Sequence, residues 1–279
     1  MEARRGKLYL CATPIGNLAD VTLRVLDALK DADLVAAEDT RRTRRLFSRY
    51  DIHTPLVSYR EENRESAGRK IIERIDAGEN VALVSDAGMP GISDPGSHLV
   101  AECVETGIEV EALPGPNAAL TALVISGLPT RRFAFEGFPP RKQGARRKLF
   151  EELAGDERTL IFYESPSRVS ATLADLLVVM GDRRAAVARE LTKRFEQVIR
   201  GRLSEVIDEL GEPRGEYVVI VEGASRSVPA ESDRDDAARE VLVLNEEGVP
   251  LKEAAARISA TSGISKTELY NRALTLRTR

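Results

Sequence analysis

The chain has no tryptophan and carries two cysteines and two histidines among its 279 residues. Cys11 and Cys103 are far apart and outside any C-x-x-C spacing, which argues against a disulfide framework or a zinc site; both read as buried small hydrophobes. His53 and His98 stand isolated, without an H-E-x-x-H or a neighbouring Cys pair, so no metal is expected. Long apolar runs are missing as well. Val81 to Val84 and Ala171 to Met180 are too short or too interrupted to cross a bilayer, and the start Met-Glu-Ala-Arg-Arg-Gly lacks a signal-peptide apolar region. The expectation is a cytoplasmic protein with no membrane partner. No G-x-G-x-x-G follows a strand and no G-x-x-x-x-G-K-[ST] occurs, which argues against NAD bound in the usual way and against nucleotide hydrolysis. A net charge of -4 does not advertise nucleic-acid binding. Positive charge is nevertheless bunched at Arg41-Arg42-Thr43-Arg44-Arg45 and at Arg141-Lys142 with Arg146-Arg147-Lys148.

What is present is enough apolar sequence, 42%, to bury a core in a chain longer than one usual domain. Short β-rich runs alternate with amphipathic stretches from Lys7 to about Gly223, the rhythm of an α/β architecture. Strands are expected at Leu8 to Ala12, Asp33 to Ala37, Pro55 to Ser58, Val81 to Ser85 and Ile108 to Ala112. Helices are expected on Leu23, Leu26 and Leu29, at Glu65 to Ala77 and at Ser97 to Thr106. Pro114-Gly115-Pro116-Asn117 breaks the pattern before a helical Ala118 to Ser126 and marks a domain boundary. A second series follows, with strands near Phe133 to Gly137, Thr159 to Tyr163, Ala185 to Arg189, Gln197 to Gly201 and Tyr217 to Glu222, in mixed directions. Ala224 to Asp236 reads as a polar linker. Beyond it, a helix at Leu251 to Ile258, a turn at Ser262-Gly263 and a capping box Ser265-x-x-Glu268 make a helix-turn-helix-like tail. The expected domains are 1–115, 116–225 and 226–279.

The segment Ser85-Asp86-Ala87-Gly88-Met89-Pro90-Gly91-Ile92-Ser93-Asp94-Pro95-Gly96 follows a short buried strand. Its glycines allow close backbone approach and its prolines restrict motion, which suits a loop that cradles a small ligand. Thr13-Pro14-Ile15-Gly16-Asn17 and Pro114-Gly115-Pro116-Asn117 share that character. In open α/β sheets ligands lie outside the carboxyl ends of strands, so the three loops are expected to converge on an interdomain cleft.

The ordered set Leu10 to Leu18, Ala37-Glu38-Asp39-Thr40-Arg41, Ser85 to Gly96, Leu113 to Asn117, Phe135-Glu136-Gly137-Phe138, Phe162-Tyr163-Glu164-Ser165-Pro166 and Ala188-Arg189-Glu190-Leu191-Thr192-Lys193 resembles the ribosomal small-subunit methyltransferase I family. That family has the tetrapyrrole-methylase fold, two α/β domains with the methyl donor between them. The resemblance implies S-adenosylmethionine as donor and, as acceptor, a cytidine 2′-hydroxyl near the decoding centre of small-subunit ribosomal RNA. It also implies a homodimer, and it places Pro14, Gly88, Met89, Pro90, Ile92, Ser93, Ala118, Ala119, Tyr163 and Glu164 at the donor. Met89 departs from the Gly-Asp-Pro of the tetrapyrrole enzymes, which disfavours the alternative of a methylase of a small tetrapyrrole-like metabolite. A ligand-sensing regulator that binds DNA through the tail is the rival from another class.

Methyl transfer to a ribose hydroxyl needs alignment of the reacting atoms and a group to take the proton. Asp86 and Asp94, Glu38-Asp39, and Glu190 with Lys193 and Glu196 are candidates, with Asp86 and Glu190 placed first as catalytic residues. Arg41, Arg44 and Arg45 share one face of a helix and, with Lys193, are expected to meet RNA.

Overall fold

Apolar runs of four to six residues are long enough for strands and too short for core helices, and here they line two sheets. A computed structural model describes residues 5–225 and 231–277, which form two compact units divided after Ala224. In the first unit β1 (Lys7–Cys11), β2 (Leu34–Ala37), β3 (Leu56–Ser58), β4 (Val81–Val84) and β5 (Glu109–Leu113) form a parallel sheet in the order β3-β2-β4-β1-β5. Strands β2 and β4 are buried at every position, as parallel strands covered on both faces must be. Helices α1 (Leu23–Asp31) and α2 (Thr40–Tyr50) cover one face through Val25, Leu29, Leu46 and Phe47. Helices α3 (Arg64–Asp76) and α4 (Gly96–Glu105) cover the other through Ile71, Ile75, Leu99 and Cys103.

Helix α5 (Ala118–Ser126) starts where the Asn117 side chain accepts the Leu120 N–H at 3.0 Å, and it packs on a second sheet. That sheet holds β6 (Phe133–Phe135), β7 (Thr159–Glu164), β8 (Arg184–Arg189), β9 (Gln197–Arg202) and β10 (Tyr217–Val221) in the order β6-β7-β10-β8-β9. Strand β6 is parallel to β7, whereas β10 runs antiparallel to both of its neighbours, so the expected mixture of directions is found. Helices α6 (Gln143–Leu153), α7 (Val169–Met180) and α8 (Leu203–Glu209) cover the remaining face.

Each expected strand is present within two residues of its expected ends. Two readings need correction. The basic run Arg146-Arg147-Lys148 is not a uniform surface cluster, because Arg146 is buried with its guanidinium on Asp175 of α7. The expected linker also ends early: Glu231–Glu246 is helix α9, so 231–236 is helical, while 226–230 lie outside the described residues. The polar start of α9 is stabilised by its partners, for Arg272 pairs with Asp235 at 2.6 Å and with Glu231. With α10 (Leu251–Ser262) and α11 (Lys266–Arg277), α9 encloses a small-residue core of Ala237, Ala238, Ala254, Ala255 and Ala273 around Val241 and Leu269. Gly263 ends α10 at φ 69°, and Ser265 Oγ accepts the Glu268 N–H at 3.2 Å, as the turn and capping signals predict. The Glu268 carboxylate turns to Arg234 of α9 at 3.3 Å. Among the described residues no helix is long and apolar enough to cross a membrane.

Both cysteines are buried, and burial pushes the Cys11 thiol up to about 12 and the Cys103 thiol up to about 11. The thiolate is the reactive form, so neither residue should be carbamidomethylated by iodoacetamide near pH 8 in the native protein. Intact-mass spectrometry should then show two adducts once the chain is unfolded; rapid native labelling would contradict the burial.

Candidate active site

Every strand of a parallel sheet delivers its C-terminal end to one edge, and at that edge the three glycine- and proline-rich loops meet. Thr13 and Gly88 exchange backbone hydrogen bonds at 2.9 and 3.0 Å, which joins the β1 and β4 loops. Gly88 has φ 83°, and a Cβ there would stand 3.5 Å from both Ile15 Cγ2 and the Pro116 carbonyl, so the third loop closes on the same point. Asp94 fixes the rest of the β4 loop by accepting the Gly91 and Gly96 N–H groups, each at 2.8 Å. The second sheet is held close. A Cβ on Gly16 would fall 2.6 Å from the Leu191 carbonyl oxygen, and Ala119 N–H donates to Tyr163 Oη at 3.2 Å.

Between the two sheets lies a cavity of about 410 Å³, within the range of small-molecule and cofactor sites. Its apolar wall includes Ile15, Ile92, Ala118, Phe138 and Tyr163, with Phe135 and Phe138 edge-on to the Tyr163 ring at 4.7 and 5.6 Å. Its polar wall holds the six carboxylates Glu38, Asp86, Asp94, Glu164, Glu190 and Glu216 against the two cations Arg42 and Lys193. Such a cavity attracts a cationic ligand and repels phosphate. Ser93 and Glu190 line it with left-handed backbone, φ 64° and 52°, conformations that concentrate at functional sites.

The carboxylates are not equivalent. Glu164, whose side chain has 0% exposure, accepts from Ser165 N–H at 2.8 Å and Thr172 Oγ1 at 2.7 Å and faces Arg168 at 3.2 Å, so it anchors the start of α7. Glu190 pairs with Lys193 at 3.0 Å. Asp86 accepts the Asp39 N–H at 2.9 Å and faces Arg42 at 3.6 Å. Arg42 also reaches Glu216 at 3.9 Å, as does Lys193, and these contacts link the first sheet's edge to the second's. Asp39 caps α2 through the Arg41 N–H at 2.8 Å, and the Arg41 guanidinium on its carboxylate holds that carboxyl far below the usual range.

Of the residues expected from the sequence, Asp86, Glu190, Ile92, Ser93, Ala118, Tyr163, Glu164 and Lys193 line the cavity. Pro14, Gly88, Met89, Pro90 and Ala119 are not on its surface; Gly88 and Ala119 shape it through the backbone bonds already described. Arg41, Arg44 and Arg45 are exposed on α2, and Arg41 and Arg45 border a depression beside Arg42. The sequence reading missed the turn of Arg42 into the cleft and the place of Phe138, Glu216 and Tyr217 on its wall. Glu216 and Tyr217 reach it because β10 is antiparallel and brings its start to the edge where its neighbours end, an arrangement with no local signal. Among the described residues no group of three or more His, Cys, Asp or Glu side chains is placed to hold a metal ion.

Two sheets close on an acid-lined cleft, and the profile of the Tetrapyrrole (Corrin/Porphyrin) Methylases matches residues 7–207, which makes this a methylase fold. A solved structure, uroporphyrin III C-methyl transferase from Thermus thermophilus, superposes with a TM-score of 0.57 over 78% of this chain and 97% of its own. At 22% identity that likeness shows the fold alone. The profile of the RsmI C-terminal HTH domain matches residues 231–277. Ribosomal RNA small subunit methyltransferase I of Halalkalibacterium halodurans is 46% identical over 96% of this chain and 94% of its own, and that of Bacillus subtilis 46% identical over 95% and 93%. The chain belongs to the ribosomal RNA small subunit methyltransferase I family, and it is a methyltransferase.

Proposed function

We propose that this enzyme transfers a methyl group from S-adenosylmethionine to the 2′-hydroxyl of a cytidine in small-subunit ribosomal RNA. The near full-length likeness to curated small-subunit methyltransferases carries this reading, and the charge distribution supports it. The donor supplies an electrophilic methyl group on a sulfonium cation, and six carboxylates against two cations suit that charge. Ile92, Ser93, Ala118, Tyr163 and Glu164 line the cavity, and Pro14, Gly88, Met89, Pro90 and Ala119, which lie outside its lining, are also assigned to the donor site on this reading. Asp86 and Glu190 hold negative charge on opposite sides of the cleft, while Arg41, Arg44 and Arg45 on α2, with Lys193, meet the RNA backbone. A homodimer acting in the cytoplasm completes the reading.

The metabolite alternative has the shared fold in its favour, at an identity that supports nothing finer. The test is mass spectrometry of ribosomal RNA fragments after incubation of the protein, S-adenosylmethionine and unmodified small subunits. One added methyl on the ribose of a single cytidine is expected. Absence of any methyl on subunits or their assembly precursors, with donor binding measured in the same preparation, would reject the proposal.

A further inference from the structure

Five of the six cavity carboxylates are committed: Asp94 to loop amides, Glu164 to α7, Glu190 to Lys193, Asp86 to the Asp39 N–H and Arg42, and Glu216 between Arg42 and Lys193. Glu38, at the carboxyl end of β2, is different. One of its oxygens accepts a long 3.4 Å bond from the Asp86 N–H, and the other has no hydrogen-bond or ion-pair partner among the described residues. The residue is half-buried and lines the cavity, and its backbone is fixed by Arg60 Nε, which donates to the Glu38 carbonyl at 2.9 Å. A held main chain with an unspent carboxylate oxygen facing a ligand cavity is the geometry of a proton acceptor.

We propose that Glu38 takes the proton from the acceptor hydroxyl, with Asp86 as the fixed negative charge beside it. The assignment rests on the ribose-methylation reading above. As the bond from the 2′-oxygen to the methyl carbon forms, the carbon–sulfur bond breaks with its electron pair remaining on sulfur, and the hydroxyl proton passes to a Glu38 oxygen. A sulfonium and a carboxylate become a neutral thioether and a carboxylic acid, so the reacting set has no net charge before or after. A low-dielectric cleft favours such charge annihilation.

The surroundings give Glu38 the character the role needs. Burial pushes its carboxyl up, and the charges of Asp86 and then Asp94 on the β4 loop add to this. The Asp86 N–H bond and Arg42 of α2 pull the other way without cancelling it. The neighbouring Asp39 carboxylate is occupied by Arg41. Glu38 and Asp86 are thus a carboxylate pair in which Asp86 is spent on the Asp39 N–H and Arg42 while Glu38 keeps an oxygen free of partners among the described residues.

The experiment compares wild type, Glu38→Gln and Glu38→Asp in methyl transfer to small subunits across pH, in donor affinity by calorimetry, and in thermal stability. Wild-type kcat should rise with pH through a limb above the ordinary carboxylate range. Glu38→Gln should lose that limb and about 10²–10⁴-fold in kcat, with donor Kd held within about threefold, and Glu38→Asp should restore a pH-dependent fraction. A carboxyl raised by the fold contributes stability at low pH that is lost as pH rises through its folded value. Glu38→Gln should therefore melt above wild type near pH 8, with the gap closing near pH 4. A Glu38→Gln kcat within about threefold of wild type, a loss traceable to donor Kd, or a melting gap that ignores pH would overturn the assignment. Failure of the wild type to methylate ribose would instead overturn the reading beneath it.

Discussion

Asp175→Ala should destabilise the first unit by about 3–5 kcal/mol, because it leaves a buried arginine without its counter-charge. The side chains of Arg146 and Asp175 are 5% and 2% exposed. One carboxylate oxygen accepts Arg146 Nε at 2.8 Å, and the other accepts Arg147 Nε at 2.7 Å and Gln143 Nε2 at 3.2 Å. These bonds clamp α6 to α7 over the second sheet. Burial pushes the Asp175 carboxyl up, and the donors from Arg147, Arg146 and Gln143 outweigh it and hold the group below its usual range. A depressed carboxyl contributes stability that is present above its unfolded value and is lost as pH falls through the folded one, so the clamp should fail in acid. Urea titration by circular dichroism near pH 7 measures the loss. The double replacement Arg146→Met with Asp175→Leu should recover most of it, since an apolar pair of similar volume removes the stranded charge. An Asp175→Ala protein within 1 kcal/mol of wild type, or a double variant as unstable as the single, would show that the ion pair is not what holds these helices.

The second large effect is expected from Arg41, Arg44 and Arg45 replaced together by alanine. Each phosphate contact releases about 0.7–0.9 of a counterion, so three lost contacts should lower the salt slope of subunit binding by about 2–3 and weaken binding about 10²–10³-fold near 0.1 M salt. Donor affinity should be unchanged, because these residues are outside the cavity lining and Arg42, which is inside it, is retained. Arg44 and Arg45 have no ion-pair partner among the described residues, and Arg41 is committed only to the helix-capping Asp39. Filter binding over a salt series decides: an unaltered slope would remove α2 from the RNA interface.

The sequence made the loops legible because glycine and proline carry their geometry locally. Gly88 needs positive φ and Pro114 to Asn117 breaks the chain wherever they stand, so their convergence followed from the rule that parallel strands end together. The strands were legible as short apolar runs. Helices α6 and α7 were not assigned, since the buried faces of both include polar groups, Arg146 and Asp175, that make sense only as a pair across two helices. Within one stretch of basic residues, Arg42 turns inward and Arg44 outward. Nothing in the run Arg41 to Arg45 distinguishes them before Asp86 and Glu216 are in place. Glu38 was one carboxylate among several at strand ends, and its distinction is negative: its neighbours are spent and it is not, a property visible in three dimensions alone.

The order of strands in the second sheet also bears on how the enzyme is made. Strand β10 lies between β7 and β8 yet is synthesised after both. Until Val221 leaves the ribosome, β7 presents a bare edge for roughly 3–11 s at about 5–20 residues per second, and the later β8/β9 pair does so for a shorter time. Open edges of that kind recruit wrong partners, which makes this interval the vulnerable one in the life of the chain. The strand that closes the sheet is the one that brings Glu216 and Tyr217 to the cleft, so completion of the second sheet and completion of the cavity wall are the same event.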